Sequence, residues 1–262
     1  MTEYLDVPGG RIAYDVTGEG PLVVLAHGLG DVRGLYRFAV PRLVEAGYRV
    51  ATTDLRGCGE SSADFADYTP EAVGADLLAL IRHLGGPALV WGHSYAAASA
   101  VWVATEAPDA VTGIVLSGPF VRDIPLNPVM KLASAAVGRS ARLWALYYRS
   151  NFKSAKPADL DGYVTALRAS LRRPRHLAVL RAMFAASNAA TEARLPRVAA
   201  PALVMIGARD SDFKDPAAEA ALIAGRIGPS ARTALVDGAG HYAPAELPGP
   251  TVEAVLNFLK EA

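Results

Sequence analysis

The chain has a single cysteine, Cys58, among 262 residues, so it can form no internal disulfide, and no Cys/His cluster offers metal-ligand spacing. A disulfide-stapled scaffold and a zinc module are thereby excluded, and neither metal nor cofactor is expected. Charge of one sign is also lacking. The 26 Lys and Arg are matched by 26 Asp and Glu, which removes any general attraction to nucleic acid or to an anionic membrane. Long hydrophobic runs are missing too: the most apolar stretch, residues 96–104, falls well short of the roughly 18 consecutive apolar residues that argue for a membrane helix. The first residues, Met1-Thr2-Glu3-Tyr4-Leu5-Asp6, carry acids early and no apolar run behind a basic start, so no secretion signal is expected. These absences point to a reducing compartment, with the cytoplasm as the default, and to a small-molecule partner rather than nucleic acid or membrane. Oligomeric state is not legible.

What is present is apolar and ordered. Hydrophobic residues make up 52% of the chain and charged residues 20%, on the globular side of the range. A chain of this length buries about three quarters of its unfolded surface without needing a staple. Short β-branched runs alternate with Ala- and Leu-rich stretches, the signature of an α/β class with a mostly parallel sheet flanked by helices. Leu5-Asp6-Val7 and residues 11–16 flank the turn-forming Pro8-Gly9-Gly10, which predicts an opening antiparallel hairpin. Residues 21–26 are apolar on both faces, as a central strand requires, and 49–53, 88–91, 112–116, 202–206 and 233–236 read the same way.

Between residues 116 and 202 no convincing strand occurs. Pro119, Pro125 and Pro128 mark the entry of this gap, and Pro196 and Pro201 its exit; Ala/Leu/Arg-rich helical spacing fills it. The reading is one domain, residues 1–119 and 197–262, with a helical cap inserted at 120–196. That segment holds 13 Lys and Arg against 4 Asp and Glu, leaving 13 against 22 elsewhere. Two functional readings follow, a basic lid that attracts an anionic substrate or one that docks on an acidic core, beside the plain alternative of solvated arginines. Met130, Leu132, Trp144, Leu146, Tyr147, Tyr148, Phe152, Met183 and Phe184 are candidates for an apolar pocket or, at helical spacing, for the core of the cap.

The strongest local signal is Gly92-His93-Ser94-Tyr95-Ala96, which follows a predicted strand and opens a predicted helix from residue 96 to about 105. A serine on such a sharp turn exposes its hydroxyl, and small neighbours two residues to either side let strand and helix approach. A serine hydroxyl is a weak nucleophile near neutrality; it needs a histidine to take its proton and a carboxylate to orient that histidine. His241, in Asp237-Gly238-Ala239-Gly240-His241 after the last predicted strand, is the candidate base. Asp210, in Gly207-Ala208-Arg209-Asp210 after the strand at 202–206, is the candidate acid, with Asp212 and Asp123 as alternatives. Oxyanion donors are expected from the backbone N–H groups of Tyr95 and of Leu29, the latter in His27-Gly28-Leu29-Gly30. A dinucleotide fingerprint fails there, because Arg33 stands at its third glycine position.

With these motifs, together with Asp54-Leu55-Arg56-Gly57-Cys58-Gly59-Glu60-Ser61-Ser62, the chain resembles the α/β-hydrolase family along nearly its whole length. The resemblance implies an eight-stranded sheet with the cap after its sixth strand, and a serine-nucleophile, esterase-like branch. Ser94 occupies the position that is Asp in the family's epoxide hydrolases and haloalkane dehalogenases, which argues against those activities. The loop from Asp54 to Ser62 then looks structural, with Cys58 a buried or semi-buried thiol. The implied chemistry is cleavage of a medium, largely apolar ester through an acyl-enzyme. Thioester, lactone and carbon–carbon hydrolysis and cofactor-free perhydrolysis use the same machinery, and a hydrolase-fold ligand receptor with little turnover is the non-enzymatic alternative.

Overall fold

Each β-rich run of the sequence becomes a strand of one sheet in the computed structural model, which describes residues 1–125 and 127–261. The strands are β1 (Glu3–Val7), β2 (Gly10–Thr17), β3 (Leu22–Ala26), β4 (Arg49–Thr53), β5 (Ala88–His93), β6 (Val111–Ser117), β7 (Ala202–Gly207) and β8 (Ala231–Val236). They lie in the order β1-β2-β4-β3-β5-β6-β7-β8. The first two pairings are antiparallel and the rest parallel. In the opening hairpin Val7 pairs with Gly10, so Gly10 begins β2 and only Pro8 and Gly9 form the turn, Gly9 at a φ of +92°.

The helices are α1 (Ala39–Glu45), α2 (Pro70–His83), α3 (Tyr95–Glu106), α4 (Pro128–Val137), α5 (Ala141–Ser150), α6 (Leu160–Leu171), α7 (His176–Ala185), α8 (Ala189–Arg194), α9 (Pro216–Ile227), α10 (Ala243–Glu246) and α11 (Pro248–Glu261). Their starts follow from capping chemistry. Thr69, Asn127, Ser140 and Asp215 each accept a backbone N–H of the first turn of α2, α4, α5 and α9, and a proline opens three of these four helices.

Alternating residues of the central strands feed two apolar layers, one on each face. Val24, Ala26 and Val90 join Val73, Leu77, Ala97 and Ile223 from α2, α3 and α9. Val23, Leu25, Leu89 and Trp91 join Leu43, Val252 and Phe258 from α1 and α11, and that layer continues into Trp144, Tyr148 and Leu167 of α5 and α6. Burial on both faces explains why β3 and β5 read as continuous hydrophobic runs. The same expectation fails for β8. That strand pairs only with β7 at the sheet edge, is buried only at Val236, and leaves Leu235 at 47% exposure. An edge strand tolerates polar and exposed positions that a central one does not, and four apolar-leaning residues do not separate the two cases.

The segment between β6 and β7 is helical, as its composition predicted, and comprises α4 to α8. Several of its arginines reach the rest of the chain: Arg122 pairs with Glu219 at 2.6 Å, Arg175 with Asp64 and Arg194 with Glu106. Trp144, Tyr148, Phe152 and Met183 are buried packing residues, whereas Met130, Leu132, Leu146 and Phe184 are exposed. Among the described residues no helix is long and apolar enough to cross a membrane.

Candidate active site

Five loops at the carboxyl ends of β3, β5, β6, β7 and β8 converge, the place where open α/β sheets bind ligands. Ser94 sits between β5 and α3 with φ 53° and ψ −114°, a backbone conformation that non-glycine residues rarely adopt. The turn holds it there. Ser94 N–H donates to Ser117 O at 2.8 Å, and its carbonyl accepts Phe120 N–H at 3.3 Å. Gly92 has no room for a side chain, since a Cβ there would stand 2.3 Å from Ala96 O. Helix α3 starts at Tyr95, one residue before the expected position, because Ser94 already serves as the cap residue.

His241 follows β8 in a loop that is gripped from several sides. Its N–H donates to Asn151 O at 3.1 Å, and the N–H of Gly240 donates to the buried Glu246 carboxylate at 2.7 Å. Glu246 also accepts Lys153 N–H at 2.6 Å and the Ser154 hydroxyl at 2.9 Å, so one carboxylate ties the histidine loop to the segment after α5. Gly240 is required for this approach, because a Cβ would lie 2.0 Å from Asn151 O.

The two residues after β7 that competed for the role of acid both lie beside the imidazole. Asp210 Oδ2 is hydrogen-bonded to His241 Nδ1 at 2.7 Å, while Asp212 Oδ2 stands 3.6 Å from the same nitrogen. Asp123 is occupied elsewhere, accepting the Ser187 hydroxyl at 2.6 Å and Asn188 N–H at 2.7 Å. Burial opposes charge on His241, but the Asp210 and Asp212 carboxylates, the Asp210 hydrogen bond and Asp31 outweigh it and raise the pKa to about 9. Asp212 is itself pushed up, by burial and by repulsion from Asp210, against the pull of His241 and the Tyr147 hydroxyl.

The loop after β6 touches both Ser94 and His241. A Cβ on Gly118 would lie 3.0 Å from the His241 ring, and the Phe120 ring, whose residue bonds the Ser94 carbonyl, is centred 6.0 Å from it. No hydrogen bond from Ser94 Oγ to the ring forms among the described residues, and the ring's Nδ1 is taken by Asp210. His93, centred 4.8 Å from His241, is driven to the neutral state by burial and by the neighbouring histidines.

The loop after β3 closes the other side. A Cβ on Gly28 would stand 2.7 Å from Ser94 Cβ, so the loop carrying the Leu29 amide presses directly on the serine. Its anchor is His27, whose Nδ1–H donates to Gly28 O at 2.8 Å while Nε2 accepts Leu55 N–H at 3.1 Å, which fixes the tautomer. The Tyr95 amide opens α3 and has no partner within that helix by virtue of its position.

The segment from Asp54 to Ser62 is a knot beside the site. Asp54 accepts Arg33 N–H at 2.7 Å and Glu60 N–H at 2.9 Å, and Arg56 forms a bidentate pair with buried Asp76 at 2.7 Å. Cys58 is buried, and burial together with the Asp54 and Asp31 charges raises its thiol pKa. Sequence reasoning passes over Asp31, Asn151 and Glu246, and marks Tyr147 only as a pocket or cap-core residue, not as a hydrogen-bond donor to Asp212. Asp31 is buried and accepts the Tyr148 hydroxyl at 3.1 Å and the Tyr163 hydroxyl at 2.5 Å, linking the β3 loop to α5 and α6. An acid directly after His27-Gly28-Leu29-Gly30, and an acid enclosed by apolar residues at 242–247, were the signals available in the sequence.

Comparison with known proteins agrees with this architecture. Residues 20–247 match the family model described as serine aminopeptidase, S33. A hydrolase from Pseudomonas aeruginosa PA01 superposes with a TM-score of 0.80 at 30% identity, covering 98% of each chain. An esterase from Thermogutta terrifontis, solved with malate bound, gives a TM-score of 0.80 at 25% identity over 100% of this chain and 98% of its own. Among curated relatives, bifunctional epoxide hydrolase 2 of Sus scrofa is 33% identical over 125 residues, which is 46% of this chain and only 22% of that protein.

Proposed function

The chain belongs to the serine aminopeptidase S33 family of α/β-hydrolases, and from that premise we propose that it is a serine hydrolase cleaving a carboxylic ester, or a related acyl bond, of a small to medium, largely apolar substrate. The observation that carries the proposal is a serine held at φ 53° on a strand-to-helix turn, with a histidine, itself bonded to a carboxylate at 2.7 Å, lodged across the adjoining loop. In this reading Ser94 Oγ attacks the carbonyl carbon and His241 takes its proton. The tetrahedral oxyanion is held by the backbone amides of Leu29 and Tyr95. Collapse expels the alcohol, which leaves with the proton from His241, and a water activated by the same ring releases the carboxylic acid. Asp210 holds the ring and stabilises its cation. A serine rather than an aspartate at position 94 favours acyl transfer over epoxide opening, although epoxide hydrolases occur among the relatives.

We further propose that residues 120–196 form a cap on a core of residues 1–119 and 197–262. The bonds from Tyr148 and Tyr163 to Asp31, and from Arg122 to Glu219, support this division. So does Trp144, which packs within 3 Å of where a Gly30 Cβ would stand and brings an aromatic wall to the β3 loop. The test is turnover of a panel of p-nitrophenyl esters by wild type and Ser94→Ala. Wild type should show a preference among acyl chains and the variant should lose activity by at least about 10³-fold; a variant that keeps most of the activity would overturn the proposal.

A further inference from the structure

Most of the polar contacts around the site are accounted for by the residues that hold Ser94 and His241 in place, but the second carboxylate is not. Asp212 is held on two sides. Its backbone N–H donates to Asp210 Oδ1 at 3.0 Å, which leaves Asp210 Oδ2 for the histidine. Its side chain accepts the Tyr147 hydroxyl at 2.6 Å on the same oxygen that stands 3.6 Å from His241 Nδ1. Tyr147 lies in the last turn of α5, in the segment inserted between β6 and β7, and its ring is centred 5.4 Å from that of Trp144, tilted at 46°. One turn further on, Asn151 accepts the Ser211 hydroxyl at 3.0 Å through Oδ1 and the His241 N–H at 3.1 Å through its carbonyl. The end of α5 thus grips Asp212, Ser211 and His241 together.

We propose that Asp212 is a positioning residue for His241: the Tyr147 hydroxyl of α5 keeps a second carboxylate beside the imidazole, so that the seating of the insertion on the sheet sets how readily the histidine gives up its proton. The consequence follows from charge. A carboxylate within 4 to 6 Å stabilises imidazolium, and moving α5 away would release Tyr147, favour a neutral Asp212 and leave Asp210 as the main partner of the ring. The groups facing His241 are Asp210 and Asp212 after β7, His93 at the end of β5, Asp31 after β3 and Tyr242 beside it, while Lys153 faces Asp212 from the insertion. Removing the Asp212 charge leaves all the others in place.

This inference rests on the proposal that His241 is the base, but its test does not depend on turnover. The His241 ring titration is followed by NMR in wild type, Asp212→Asn and Tyr147→Phe, with the resonance assigned by its loss in His241→Gln, and thermal unfolding confirms that each variant is folded. The expected result is a fall in the His241 midpoint of about one pH unit in Asp212→Asn, and a smaller fall in Tyr147→Phe. The acid limb of kcat/KM should shift to lower pH by the same amount. An unchanged midpoint in folded Asp212→Asn would overturn the inference and reduce Asp212 to a packing role. So would loss of activity in Asp212→Asn with activity kept in Asp210→Asn, which would make Asp212 the orienting acid itself. If the midpoint shifts while Ser94 proves unreactive, the inference stands and the hydrolase proposal falls.

Discussion

Replacing Glu246 by alanine should cost stability and activity together, because this one buried carboxylate joins the histidine loop to the segment after α5. Glu246 is 4% exposed and accepts the N–H groups of Gly240, Lys153 and Ser154 and the Ser154 hydroxyl. The Gly240 donor is sealed from water, and leaving it without an acceptor costs about 1–3 kcal/mol. Lys153 and Ser154 are half-buried or exposed and recover much of their loss from water, so roughly another 2 kcal/mol follows from the three charge-assisted bonds given up. The sum is about 3–5 kcal/mol, which at about 2–4 °C per kcal/mol for a chain of this size lowers the melting temperature by roughly 10 °C. Gly240 immediately precedes His241, so the ring loses the anchor of its loop, and kcat for an activated ester should fall at least about tenfold. The assay is thermal unfolding with parallel ester turnover, and Glu246→Gln, which keeps one acceptor oxygen, should fall between wild type and alanine. A Glu246→Ala protein that melts within about 2 °C of wild type and retains its turnover would refute the reasoning.

Two further outcomes follow from buried groups. Cys58 is buried at 7% exposure and lines a cavity of about 10 Å³ with Gly30, Asp31, His176 and Leu180 among others, room for about one water; native protein should therefore resist iodoacetamide at pH 8 and react once in denaturant, and rapid native labelling would contradict the burial. His241 is raised to about 9 in the folded chain against 6.5 when unfolded, so its contribution is fully present below pH 6.5 and is lost as pH rises through 9. Unfolding free energy should accordingly drop by about 3 kcal/mol across that window in wild type but not in His241→Gln, and equal slopes in both proteins would dismiss the charged-histidine account.

How far the molecule was legible from its residues depended on the range of the interactions. The central strands were visible because burial on both faces leaves a run such as Leu22–Ala26 with no polar position at all. Ser94 stood out because its turn needs small residues at Gly92 and Ala96, a local demand written within five residues. His241 and Asp210 could be placed because each follows a strand of the same sheet, and strand order brings their loops to one edge. Edge and centre were harder to tell apart: nothing in residues 231–236 shows that β8 lacks a neighbour on one side. The contacts that hold the histidine were not visible. Asn151 meets His241 and Lys153 meets Glu246 across some ninety residues of chain, and neither residue stands in a periodic pattern that would mark it. The choice between Asp210 and Asp212 was of the same kind, since two acids two residues apart differ only in how the loop turns after β7.

The central claim is that Ser94 is an activated nucleophile, and the most direct measurement is the intact mass of wild type and Ser94→Ala after exposure to a small fluorophosphonate. The account predicts one adduct on wild type and none on the variant, and formation of the wild-type adduct should accelerate as pH rises towards 9 and His241 loses its proton. No adduct on either protein, or an adduct that persists in Ser94→Ala, would contradict it.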